Sequence, residues 1–210
     1  MTLITPAVLA LLLAQMWVAV PILGSQGSLR LTSLAALAIV LALCAWSNRR
    51  HGGGWGFRIQ SLGPAARLAA LLTLPALAVI LGAGRELGSL HAPGRLAPRF
   101  AVLLLWALVQ QFILQTVILR EAKSALPRQA ALLTAAGLFA LVHLPNPLLT
   151  PVTFVAALGW CWVYDRHPNL LPIALSHAVA SLALAAAFDP ATTGGMRVGY
   201  GYFLHHGSWS

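Results

Sequence analysis

The chain has 210 residues, 59% of them hydrophobic and 8% charged, with 13 Lys+Arg against 4 Asp+Glu and a formal net charge of +9. Soluble domains carry about 25% charged residues, so this composition excludes an ordinary water-soluble fold and makes lipid the expected solvent. The positive residues sit in short connectors between apolar runs, which fits anchoring to anionic headgroups rather than nucleic-acid binding.

Seven apolar stretches predict an all-α, polytopic transmembrane helix bundle of about seven spans, at roughly 20 apolar residues each. The first two cover about 6–23 and 29–46. The N-terminus lacks a basic region and a small-residue cleavage site, so it reads as a first span and not as a removable signal. Cys44 and Cys161 fall inside apolar runs without a CxxC pair, which predicts buried structural thiols. The connector after the second stretch contains Gly52, Gly53 and Gly54, a run unable to hold a helix, beside Trp55 and Arg58, which suit the headgroup layer.

The third span, about 65–83, contains Pro75 as an expected kink. Arg99 and Arg120 bracket the fourth, and the residues between them measure about 30 Å as a helix, the thickness of the hydrocarbon core. The fifth, about 129–144, stops at Pro145-Asn146-Pro147. The sixth and seventh cover about 148–164 and 170–188, separated by a turn at Asp165-Arg166-His167-Pro168-Asn169. A Gly- and aromatic-rich tail follows, too broken for another span, and Tyr200, Tyr202, Phe203 and Trp209 suit an interfacial belt. The expected organisation is 1–98 for helices one to three, 99–189 for helices four to seven, and 190–210 for an interfacial tail. Counting Lys and Arg by alternate connectors gives Arg49, Arg50, Arg58, Arg67, Arg120, Lys123, Arg128 and Arg166 on the N-terminal side. Arg30, Arg85, Arg95, Arg99 and Arg197 fall on the other. Eight against five favours a cytoplasmic N-terminus.

Polar groups deep in a membrane cost free energy and default to function. Gln110 and Gln111 lie midway between Arg99 and Arg120, and Gln115 shares a helical face with Gln111. Phe139 and His143 are four apart in the fifth span, as are His177 and Ser181 in the seventh. Hydrogen-bonded helix glue would account for each pair alone, at about 0.6 kcal/mol. Three pairs on three helices could instead converge on one pocket.

The stretches Gln110-Gln111-Phe112-Ile113-Leu114-Gln115, Phe139-Ala140-Leu141-Val142-His143 and His177-Ala178-Val179-Ala180-Ser181 carry a resemblance to the CPBP (Abi, or type II CAAX prenyl protease-like) intramembrane protease family. That family has Glu-Glu-xxx-Arg, then Phe-xxx-His, then His-xxx-Asn or Asp two helices later. Gly159-Trp160 and the Asn169-Leu170-Leu171-Pro172 run into His177 agree with it. The resemblance covers somewhat under half the chain and implies an intramembrane endopeptidase acting on a membrane-associated peptide or prenylated substrate. It implies site residues His143, His177, Gln110, Gln111, Ser181 and Gln115. In the family a motif-one glutamate is the general base on the attacking water, and the histidines hold that water and the oxyanion.

The first motif departs from the pattern: Gln110 and Gln111 replace both glutamates, Gln115 the arginine, and Ser181 the Asn. A carboxamide cannot take a proton from water near neutral pH, though it still donates and accepts hydrogen bonds. Of the four carboxylates, Glu86, Asp165 and Asp189 lie in connectors or at a span end. Glu121 lies about 16 Å along the helix from Gln110.

Three readings follow. An endopeptidase would use His143 or His177 as base, with glutamines polarising the scissile carbonyl. An inactive pseudoprotease would keep the pocket to bind a peptide, lipid or partner helix. Bis-histidine haem is the third class; zinc needs three or four good ligands, so no metal or cofactor is expected. His205-His206 reads as incidental, and His51, His91 and His167 as connector residues. The expected setting is the bacterial inner (plasma) membrane.

Overall fold

A computed structural model describes residues 4–23, 26–52, 54–92 and 94–206. Gly53, Trp209 and the side chains of His205 and His206 lie outside the described residues. Seven main helices follow the seven apolar stretches. They are α1 (Thr5–Leu23), α2 (Gln26–Arg50), α3 (Ile59–Glu86), α4 (Leu96–Ala125), α5 (Arg128–Leu141), α6 (Leu149–Arg166) and α7 (Leu170–Ala187). Two short helices complete the tail, α8 (Pro190–Thr193) and α9 (Tyr200–His206), joined through a 3₁₀ turn at Gly194–Met196. The architecture is an all-α bundle of membrane-spanning helices, as expected.

Among the described residues, five helices are long and apolar enough to cross a bilayer: α1 to α4 and α7. The expected fifth and sixth spans become α5, 14 residues long, and α6, whose 18 residues end in Asp165 and Arg166. The shortness of α5 has a local cause. Pro145 and Pro147 cannot donate to a continuing helix, so it ends at Leu141 and His143 falls in the following turn, not inside the helix. Asn146 is fully buried in that turn. Its Oδ1 accepts from the amides of Leu148 (3.1 Å) and Leu149 (2.9 Å), satisfying donors at the start of α6. Asn169 starts α7 the same way, accepting from the Leu171 amide at 3.0 Å.

The fourth span is longer than its bracketing arginines suggest, and it contains a π-helical turn at Leu114–Leu119. Such turns insert a residue into the helical register and favour functional sites. Thr116 Oγ1 donates to the Phe112 carbonyl at 2.7 Å within it, a back-bond of the kind that loosens a helix. Below this turn Arg120 does not lie free at the interface. It donates to Asn48 Oδ1 and Ser47 Oγ, both at 2.7 Å, and ties α4 to the end of α2.

The core is centred on α4, α5, α6 and α7, joined by Val8 of α1 and Val40 and Cys44 of α2, with α3 laid along α7. At Gly84 a Cβ would stand 2.5 Å from the Ala187 carbonyl oxygen, so only glycine allows the α3 and α7 backbones to meet there. Glu121 joins α1 to α4. Its carboxylate accepts from the Ile4 amide (2.9 and 3.0 Å) and the Thr5 amide (2.9 Å), covering orphan donors at the positive end of α1.

Candidate functional site

The midpoint of α4, the end of α5 and the middle of α7 meet around a cavity of about 290 Å³. Gln110, His143, His177 and Ser181 all line it. Gln111 and Gln115 do not. Gln111 is fully buried behind His177, and Gln115 lies one turn further toward the end of α4. The six residues singled out in the sequence therefore divide into four on the wall and two behind it.

The hydrogen bonds set the state of each imidazole. A carbonyl oxygen only accepts, so the 2.7 Å contact between His143 Nδ1 and the Phe139 carbonyl makes Nδ1 the protonated nitrogen. A neutral His143 then carries its lone pair on Nε2. The second ring is set from α4. Gln115 Nε2 donates to Gln111 Oε1 at 2.9 Å, which turns the Gln111 amide nitrogen toward His177 Nδ1 at 3.4 Å. His177 Nδ1 is thus an acceptor, and its proton sits on Nε2. The two rings are opposite tautomers. One offers an acceptor and the other a donor.

Aromatic packing fixes both rings. Trp160 of α6 stacks on His177 with centroids 4.4 Å apart and planes at 28°. Phe139 sits between them, 4.9 Å from the His143 ring and 6.0 Å from the His177 ring. Trp160 Nε1 donates to Ser176 Oγ at 3.0 Å, and Ser176 Oγ shares a 2.6 Å hydrogen bond with Thr73 Oγ1 of α3. The orientation of His177 is thereby referred through Trp160 to two other helices. Trp160, Ser176 and Thr73 are neighbours of the candidate site that sequence spacing did not identify. The available signal was that an indole N–H inside a membrane needs an acceptor.

Elsewhere the cavity is apolar, with Leu9, Leu12 and Met16 of α1 and Trp106 of α4 among its walls. The tail closes one end, contributing Met196 and Val198. Asn146 Nδ2 holds it there, donating to the carbonyls of Thr193 (2.8 Å) and Arg197 (3.0 Å), while the Gly199 amide donates to the Leu144 carbonyl at 2.7 Å. At Gly194, φ is +60° and a Cβ would stand 2.6 Å from the Tyr202 ring, so the turn needs glycine.

No carboxylate lines this cavity. Glu121, the one in-line candidate on α4, is committed to the start of α1. Cys44 and Cys161 are buried and unpaired, and the Cys161 thiol lies beside Gln115. Among the described residues no three His, Cys, Asp or Glu side chains are grouped to hold a metal ion. At the C-terminal end of α6, burial alone would raise the Asp165 carboxyl. Hydrogen bonds and charge from Lys123 and Arg128 outweigh that and hold it below its ordinary value of 3.8.

Residues 92–183 match the family model described as type II CAAX prenyl endopeptidase Rce1-like. The matched segment includes all three polar motifs, in agreement with the resemblance drawn from them. No curated protein and no solved structure matches the chain.

Proposed function

We propose that this chain, a CAAX-protease-like membrane protein by its match over residues 92–183, is an intramembrane endopeptidase that works without a carboxylate base. The observation that carries the reading is the pair of opposite histidine tautomers on one cavity wall. In the proposed reaction a water attacks the scissile carbonyl carbon and loses a proton to His143 Nε2. The carbonyl oxygen becomes an oxyanion, and His177 Nε2–H and the Gln110 amide donate to it as charge develops. His143 then returns the proton to the leaving nitrogen as the C–N bond breaks, so the ring ends as it began.

Gln111 and Gln115 act through His177, holding its Nδ1 as an acceptor. Ser181, four residues along the same helix, supplies a further hydroxyl on the wall. The apolar remainder of the cavity suits a prenyl group or the side chains of a membrane-associated peptide. Exclusion of water strengthens each hydrogen bond to the oxyanion. A cytoplasmic N-terminus is supported by the eight-to-five distribution of basic residues.

The test is cleavage of a prenylated CAAX peptide and of a single-span substrate by purified protein in nanodiscs. His143→Ala and His177→Ala should each lower turnover at least 10²-fold, the scale of a positioned acid–base group. Activity that survives both substitutions contradicts the mechanism.

A further inference from the structure

A second pocket, of about 230 Å³, opens at the end of the bundle where α2 stops, α3 begins and α4 ends. We propose that it binds a phosphate group, either on an anionic lipid headgroup or as a free ion. The inference does not depend on proteolysis.

The charge on its walls is unbalanced. Arg58, Arg120 and Lys123 line it, with Asp165 as the one carboxylate. Both Asp165 oxygens are engaged, one by Lys123 and the other by Arg128 at 2.6 Å. Among the described residues Arg120 hydrogen-bonds only neutral partners, Ser47 and Asn48. The neighbouring Glu121 acts on it electrostatically but directs its oxygens at the amides of Ile4 and Thr5. Arg58 forms no ion pair among the described residues, and both arginines act electrostatically on Tyr164 in the same wall. Two guanidiniums facing one small enclosure suit a tetrahedral oxyanion.

The pocket is built in advance. Asn169 Nδ2 donates to the Arg58 carbonyl at 2.9 Å, and the Leu170 amide donates to the Gly56 carbonyl at 2.7 Å. Gly56 has φ +80°, and a Cβ there would stand 2.7 Å from the Leu170 side chain. The connector carrying Arg58 is therefore pinned to the start of α7.

A phosphate group carries its acceptor oxygens in a tetrahedral array, so it can meet Arg58 and Arg120 from their separate directions, which a planar carboxylate or a chloride ion does less well.

The experiment uses the full chain in two settings. In detergent, inorganic phosphate is titrated by calorimetry. In nanodiscs of phosphatidylcholine with and without phosphatidylglycerol, retained lipid is counted by native mass spectrometry. We expect phosphate binding, selective retention of phosphatidylglycerol, or both. Arg58→Gln should weaken the observed binding about tenfold, and added salt should weaken it further. Gln110→Ala, on the other cavity, should leave it unchanged. Retention of phosphatidylglycerol alone identifies a lipid headgroup; binding in both settings shows that the phosphate group suffices. Absence of both, or binding unmoved by Arg58→Gln, overturns the proposal.

Discussion

The front and back of the bundle differ in what they bury. Across their most apolar windows α1, α2 and α3 bury 6%, 11% and 11% of their residues, whereas α4 and α7 bury 50% and 56%. Lipid solvates apolar side chains as well as a protein interior does, so a lipid-facing leucine gains little from packing and contributes little to stability. The interior helices are held by shape and by polar pairs. That is where a polar site can be placed accurately.

Substitutions should separate the two regions. The largest effect is expected at Trp160, which stacks on His177, bonds Ser176 and is buried. Trp160→Ala should cost about 3 kcal/mol and release the His177 ring, measured by reversible unfolding in detergent. Next comes Glu121→Gln, which keeps the shape but removes the charge that α1 amides point at; a loss of about 2 kcal/mol is expected in the same measurement. A smaller effect would show that α1 is held by lipid alone.

Asp165→Asn should cost about 1 kcal/mol, because its partners are half exposed and screened. Its carboxyl is held below the ordinary value when folded. The stabilisation is therefore fully present above about pH 4 and lost as pH falls through the folded value. A stability-against-pH series should show an acid limb that the variant lacks. The smallest effect is expected at Leu71, which is 68% exposed on α3. Leu71→Ala should change stability by less than about 0.5 kcal/mol. A change as large as that at Trp160 would break the comparison between lipid-facing and interior helices.

The legible part of the molecule is the part that local chemistry determines. Apolar length located all seven helices, and Pro145 and Pro147 located the end of α5. The midpoint between Arg99 and Arg120 found Gln110, and four-residue spacing found His143, His177 and Ser181, because residues on one helical face share one environment. The contacts that give these residues their states were not legible. Glu121 meets Ile4 across 117 residues of sequence, and no local pattern encodes that pairing. The tail carries no span signal, yet Asn146 draws Thr193 and Arg197 against the turn that holds His143. The π turn in α4 also escapes periodicity, because it changes the period itself.

The absence of a carboxylate from the cavity wall is the feature on which the mechanism depends. Gln110, Gln111 and Gln115 are neutral, so in the proposed mechanism the direction of hydrogen bonding does what charge would otherwise do. Nitrogen-15 NMR of imidazole-labelled protein in nanodiscs, with each ring assigned by its own His→Ala variant, reads the proton positions directly. The account predicts that near neutral pH both rings are uncharged, with the proton on Nδ1 of His143 and on Nε2 of His177. Matching tautomers, or an imidazolium at either position, would contradict it.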